Sequence, residues 1–571
     1  MRTVREAVLD VLRTRGMTTV FGNPGSTELP MLKDFPDDFR YVLGLQEAVV
    51  AGMADGFAMA TGTTALVNLH TAPGTGNAMG AILNARANRT PMVVTAGQQV
   101  RPMLTMEALL TNPQPTLLPQ PAVKWAYEPP RPADAATALA RAVQIAETPP
   151  QGPVFLSLPM DDLDAPLDED EDRAARTTAA RRVHHATRPA PDAVRDLADR
   201  IARAADPVLV VGNDVDAAPG AWDAVVALAE RAALPVWSAP TEGRVSFPKT
   251  HPRYRGTLPP AIAPLARCLA GHDLVLVVGA PVFCYYPYLP GDYLPEGAAL
   301  VLLTRDADEA ARAPVGDALV ADLAPTVREL VRELGERGRA SGDRAAKAGD
   351  GAAEAGAAGA GAAAAGAAGA GAAEAGNAGT AATESGQTDD GALTPLAALT
   401  AVAQGAPADT LWVNESPSNL PQFHEATRIS RPHSFFFTAG GGLGYGAAAA
   451  VGAQLGRPDR PVVAVIGDGS MHYAVQALWT AAAYKIPVTY VVLSNQRYAI
   501  LHWFAQVERA AGAPGLDIPG LDIASVATGY GVRAHRATGA GELAKLVRES
   551  AAQQDGPVLI DVPVTTELPS L

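Results

Sequence analysis

Between residues 461 and 500 the chain reads PVVAVIGDGSMHYAVQALWTAAAYKIPVTYVVLSNQRYAI, and no other stretch limits the fold so strongly. Residues 462–466 form a short unbroken apolar run between Pro461 and Gly467, the pattern of a strand buried on both faces of a parallel sheet. Val475, Leu478, Trp479 and Ala482 then recur at helical spacing, and residues 486–493 are a second apolar, β-branched run. The right-handed crossover of such a βαβ unit leaves its strands parallel, so Asp468 and Asn495 emerge at the same sheet edge, where α/β folds bind ligands. A carboxylate, an amide oxygen and the main-chain carbonyl of Arg497 are hard oxygen ligands suited to Mg²⁺ or Ca²⁺. Gly469 lets a phosphate approach the backbone, and Ser470 with the helix N-terminus offers hydroxyl and N–H donors. The stretch reads as a clamp for a metal-bound diphosphate.

The chain around this unit is long enough, at 571 residues, for about three domains. With 48% hydrophobic and 18% charged residues and no apolar run of membrane-spanning length, it reads as globular, and a membrane partner is not expected. The start, MRTVREAVLDVLRTRG, is charged throughout and reads as an amphipathic helix, which makes the cytoplasm the expected compartment. Two cysteines, Cys268 and Cys284, argue against a disulfide framework or a cysteine zinc site. A net charge of −15 without a basic cluster disfavours a nucleic-acid partner and leaves small-molecule chemistry as the expectation.

Taken in order, residues 1–180 alternate helix and strand, with strands expected at 18–21, 41–45, 65–69, 92–95 and 154–158. Ser26 lies in the turn FGNPGSTELP, Glu47 at a strand-to-helix junction, and His70 at a strand end before a stretch read as a glycine-rich loop. Separately, these residues are explained as a helix cap, a dipole partner and a structural histidine. Their convergence on one rim of a parallel sheet raises the functional reading. Residues 190–338 form a second α/β unit, with strands expected at 207–211, 234–237, 274–278 and 299–304 and no GxGxxG turn. Residues 339–392 are almost entirely Ala, Gly and a few polar residues, and are expected to be a disordered linker. Residues 393–571 carry the clamp, preceded by NESPSN and by TAGGGLGYGAAAA, a glycine-rich turn opening a small-residue helix, in which Leu443 is the large aliphatic side chain.

GDG, a spacer over residues 470–493 and then Ser494-Asn495 resemble the GDG…NN signature of thiamine diphosphate (ThDP) enzymes. The stretches FGNPGSTELPMLKDFPDDFRYVLGLQEA, NLHTAPGTGNAMGA, EALLTN, AGGGLGYG and LHWFA extend that resemblance to the 2-keto acid decarboxylase family, in its benzoylformate-specific branch. The resemblance implies three doubly wound parallel-sheet domains: a pyrimidine-binding first domain, a central domain and a diphosphate- and metal-binding last domain. It further implies non-oxidative decarboxylation of an aromatic 2-keto acid, benzoylformate to benzaldehyde and CO₂, through an enamine on the cofactor. Glu47 matches the carboxyl that bonds the pyrimidine ring, Ser26 the residue that orients the substrate carboxylate and His70 the proton relay. Asn23, Gly441, Ser418, Gly469, Ser470 and Tyr498 match cofactor contacts, Leu443 the apolar wedge that bends the cofactor, and Asp468, Asn495 and Arg497 the metal ligands. Leu109, Leu110, Tyr286, Phe437, Ile500 and Phe504 match the substrate pocket. Family members bind the cofactor between two chains, which implies a homodimer at minimum and a tetramer as the fuller assembly.

Four departures accompany the match. Ser494 replaces the first Asn of the signature; Tyr286 stands where the family has a second active-site histidine; Pro417 stands where a hydroxyl residue would touch the diphosphate, leaving Ser418; and Ile500 is bulkier than usual. An aliphatic 2-keto acid, a carboligation resembling acetolactate synthase or benzaldehyde lyase, and an inactive scaffold subunit are the competing readings.

Overall fold

The computed structural model describes residues 1–336 and 392–567. Apart from its last residue, the Ala/Gly-rich segment lies outside the described residues. Among those described, eighteen strands make three sheets of six, each wholly parallel in its named strand pairs. The first contains β1 (Thr19–Gly22), β2 (Arg40–Leu43), β3 (Ala65–Leu69), β4 (Met92–Gln98), β5 (Ala126–Tyr127) and β6 (Pro153–Pro159), in the order β2-β1-β3-β4-β6-β5. The second contains β7 (Pro207–Val211), β8 (Val236–Ser238), β9 (Tyr254–Thr257), β10 (Leu274–Val278), β11 (Ala299–Thr304) and β12 (Asp317–Val320), in the order β12-β11-β10-β7-β8-β9. The third contains β13 (Leu411–Glu415), β14 (Phe435–Phe437), β15 (Val462–Gly467), β16 (Val488–Ser494), β17 (Arg533–Arg536) and β18 (Val558–Pro563), in the order β14-β13-β15-β16-β18-β17. First and third sheets therefore have the same topology, strand for strand.

The central strands are apolar on both faces because helices cover both sides, as in β3, β7 and β10, whose residues are all buried. Each sheet reverses its winding beside its first strand, which opens a crevice at the carboxyl ends of the two strands involved. These are β1 and β3 in the first sheet, β7 and β10 in the second, β13 and β15 in the third.

The first and last domains share a core through two small-residue helices, Glu47–Thr61 and Gly446–Gly456. A Cβ at Gly56 would lie 2.1 Å from the Ala449 carbonyl oxygen, and one at Gly452 would lie 1.8 Å from that of Met53. Alanine at either position would force the backbones apart, a change of the overpacking kind that costs about 1–3 kcal/mol.

Two local expectations are corrected. The stretch after His70, read as a loop because of its three glycines, is the helix Thr71–Ala87. Its neighbours supply the packing that glycine's poor helix propensity lacks. The helix expected between β15 and β16 is two short helices, Asp468–His472 and Ala477–Ala483, separated by a turn at residues 473–476.

Candidate active site

The crevice of the first sheet gathers Asn23, Glu47 and His70 around the helix Thr71–Ala87. Glu47 begins its helix and is only 8% exposed. Asn23 Nδ2 donates to its Oε1 at 3.1 Å, and Asn77 Nδ2 donates to its Oε2 at 3.0 Å. Both oxygens are thus held by neutral amides, which fixes the carboxylate without neutralising it. His70 lies beside it: a Cβ at Gly74 would sit 3.4 Å from Glu47 Cγ and Oε1 and 3.4 Å from His70 Cβ. A Cβ at Gly25 would collide with the His70 ring at 2.0 Å, so the ring can fold over this turn only because residue 25 is glycine. Ser26, next in that turn, is exposed.

Sequence reasoning missed the residue that orients the histidine. Glu28, with a fully buried side chain, places Oε2 2.9 Å from His70 Nδ1 and accepts the Gly25 N–H at 2.8 Å. Its Oε1 accepts the Gly97 N–H and the Thr27 hydroxyl, both at 2.8 Å. A carboxylate bound to Nδ1 selects the tautomer that leaves Nε2 to exchange protons. An acid buried just beyond the FGNPGST turn was the available signal. Asn77 was hidden by the loop reading, since seven residues along a helix return it to the face of His70.

In the third sheet, Asp468 opens its helix at the end of β15. Its Oδ1 accepts the Gly469 N–H at 2.8 Å and its Oδ2 accepts the Gln496 N–H at 2.6 Å, tying the two ends of the clamp together. Asn495 Oδ1 accepts the Arg497 N–H at 3.1 Å. Burial pushes the Asp468 carboxyl above its ordinary value, against the backbone N–H bonds that lower it. Among the described residues no Lys or Arg pairs with it, so the chemistry of the donor set calls for a cation. A Cβ at Gly469 would meet the Tyr498 ring at 2.5 Å, so that ring packs onto the turn only because residue 469 is glycine. Ser418 and Ser470 are buried near the ends of β13 and β15, Gly441 is exposed with φ +71°, and Leu443 is half-buried. A buried carboxylate held by amides and an acid-amide-carbonyl set at a helix start suit the pyrimidine end of ThDP and its metal-bound diphosphate, respectively.

The predicted pocket residues lie on different elements of the chain. The Tyr286 ring lies against Phe504 with centroids 4.8 Å apart, and Phe504 shares the helix Ala499–Val507 with Ile500. Phe437 ends β14 and packs into the core with Val245 and Phe435. Leu109 is 85% exposed, and Leu110 adopts φ +72°, an uncommon conformation for a large side chain. Among the described residues no hydrogen bond joins the Glu47 cluster to the Asp468 cluster.

The middle sheet's crevice is filled from within the chain. Arg89, from the first domain, forms ion pairs with Asp214 beyond β7 and with Asp306 and Glu309 beyond β11. A cation from a neighbouring domain thus occupies the edge where doubly wound folds otherwise take ligands. No helix among the described residues is long and apolar enough to cross a membrane.

Comparison with known proteins covers the whole chain. Three family models match: thiamine pyrophosphate enzyme, N-terminal TPP binding domain, over residues 2–115; its central domain over 194–330; and its C-terminal TPP binding domain over 419–562. The chain is 46% identical over 566 residues to a benzoylformate decarboxylase of Pseudomonas aeruginosa, covering 99% of each. It is similar to the structure of a thiamine diphosphate-dependent 4-hydroxybenzoylformate decarboxylase of Rhodococcus jostii RHA1, with TM-score 0.88 and 42% identity over 99% of this chain and 100% of that one. A benzoylformate decarboxylase structure from Polynucleobacter necessarius matches with TM-score 0.88 and 39% identity over 100% of both chains.

Proposed function

The chain belongs to the thiamine pyrophosphate enzyme family, and from that premise we propose that it is a carboxy-lyase converting benzoylformate to benzaldehyde and CO₂. The observation that carries the reading is the paired set around Gly74, an amide-held Glu47 beside a carboxylate-held His70, in a chain similar end to end to benzoylformate decarboxylases. When bound, ThDP supplies the electron sink for the pair released as CO₂ leaves. Glu47 would hold a proton at the pyrimidine N1′ of the bound cofactor, and its two asparagines fix the carboxylate for that role. His70, held through Nδ1 by Glu28, delivers and recovers protons at Nε2. Ser26 orients the substrate carboxylate with its hydroxyl. Asp468, Asn495 and the Arg497 carbonyl would hold Mg²⁺ or Ca²⁺, and Leu443 would pack against the bound cofactor.

Tyr286 and Phe504 form one aromatic wall, and Ile500 limits the depth available to the ring. The exposed Leu109 and the lack of a hydrogen-bonded link between the two clusters support a site completed by a second copy of the chain, in a dimer or tetramer. The test is CO₂ release in the presence of ThDP and Mg²⁺, comparing benzoylformate with branched aliphatic 2-keto acids. Benzoylformate should be preferred, and Ile500→Ala should shift preference toward bulkier aryl substrates by roughly 10-fold. No CO₂ from any 2-keto acid would overturn the proposal, and an active species that scatters as a monomer would overturn its two-chain site.

A further inference from the structure

Leu443 stands in a run, TAGGGLGY over residues 438–445, that has almost no side chains to hold it in place. Gly441 and Gly444 have φ +71° and +95°, a conformation in which the backbone has many alternatives. A wedge that must bend a cofactor needs a fixed height, so its rigidity has to come from elsewhere.

We propose that Glu415 and Asn84 are positioning residues that set the height of Leu443, an inference that rests on the ThDP-dependent reading above. Glu415 ends β13 and is 0% exposed. Its Oε1 accepts the N–H groups of Gly444 and Tyr445 at 2.6 and 3.3 Å, and its Oε2 accepts that of Gly446 at 2.7 Å. Three successive peptides after Leu443 are thereby tied to the rigid third sheet. On the other side, Asn84 Nδ2 donates to the Gly442 carbonyl at 2.9 Å, and its Oδ1 accepts the Gly442 N–H at 3.2 Å. Asn88, four residues along the same helix face, accepts the Ala439 N–H at 3.0 Å. Leu443 is the one residue between two clamps, one built on a strand of the last domain and the other on a helix of the first.

An ordinary helix cap does not account for this arrangement. Ser, Thr or Asn would satisfy one or two N–H groups at the start of the helix Gly446–Gly456 without burying a charge. Burial pushes the Glu415 carboxyl up to about 7 despite its three N–H partners, and among the described residues no cation is paired with it. A group so costly to bury is explained by what it alone can do here, which is to accept from three peptides at once.

The full-length chain tests this with Glu415→Gln, Asn84→Ala and Leu443→Ala, each checked for native circular dichroism. The readouts are calorimetric affinity for ThDP with Mg²⁺, and hydrogen–deuterium exchange at C2 of the bound cofactor followed by NMR after acid quench. Both single support variants should bind ThDP less tightly and exchange C2–H roughly 10- to 100-fold more slowly, with KM for benzoylformate unchanged. In a Leu443→Ala background, Glu415→Gln should add less than about twofold, because it acts through the wedge. Should Glu415→Gln fail to fold, Glu415→Asp, which keeps the charge but shortens its reach, and Asn84→Ala carry the same test. Folded variants that exchange C2–H at the wild-type rate would overturn the inference. A wild-type chain that binds no ThDP would instead overturn the functional reading on which it rests.

Discussion

The first and last domains thread their six strands in the same order, yet their crevices are furnished for opposite tasks. Beyond β1 and β3 stand Asn23, Glu28 and His70, with Glu47 and Asn77 beside them, so charge is held by side-chain amides and by a carboxylate–imidazole pair. At the ends of β13 and β15 stand Glu415 and Asp468, whose partners are backbone N–H groups. Side-chain partners leave a proton free to move, whereas backbone partners fix loops around something that does not react. The difference teaches that topology supplies two equivalent rims and local residues decide their chemistry. Even so, one device is shared. An acid at or just after the end of the first strand of each sheet, Glu415 or Glu28, is buried to hold another element in place.

The comparison can be broken by exchanging the expected losses. Glu47→Gln should lower kcat by about 10²- to 10⁴-fold while ThDP binding measured by calorimetry stays nearly intact, because a proton function is removed and the diphosphate clamp is not. Asp468→Asn, or chelation of the metal, should do the reverse: affinity for ThDP should fall by at least about 100-fold, and chelated protein should recover on adding Mg²⁺ or Ca²⁺. If both variants lost the same step, the division between the rims would be wrong. Glu28→Gln sharpens the picture further. Losing the carboxylate beside Nδ1 should lower kcat by about 10- to 100-fold in steady-state assays, since the ring loses the partner that fixes its tautomer and orientation.

The smallest effect falls on folding rather than turnover. Glu415 is raised from an ordinary carboxyl value to about 7 in the folded chain, so between about pH 4.5 and 7 the native state holds a proton that the unfolded state has released. Stability should therefore fall as pH rises through that window. Chemical denaturation of the ThDP-free protein should show the slope in the wild type, and Glu415→Gln should flatten it by a few kcal/mol at most. An unchanged slope in the variant would mean that another buried group, of which Asp55 is the nearest in kind, carries it.

Much of each rim was legible before any coordinates. Parallel strands and crossovers are local patterns, so Asp468, Asn495, Glu47 and His70 could be assigned to strand ends from sequence periodicity, and the structure places them there. The loop reading after His70 failed because three glycines outweighed the helical period. On the helix Thr71–Ala87 and its cap, His70, Gly74, Asn77 and Asn84 recur at intervals of four, three and seven, one face of a helix. Reading that face would have set Asn77 beside His70, but not what Asn84 reaches in the last domain.

What the amino-acid sequence determined by itself was the set of rims: hydrophobic runs of strand length, turns that expose polar residues, and an acid and an amide brought to one edge by a right-handed crossover. Which residues steady those rims was decided only by tertiary structure. Glu28 reaches His70 across 42 residues, Arg89 enters the middle sheet at Asp214 across 125, and Asn84 grips Gly442 across 358. Contacts at such separations leave no periodic trace, because they depend on how finished elements pack and not on the spacing that forms them.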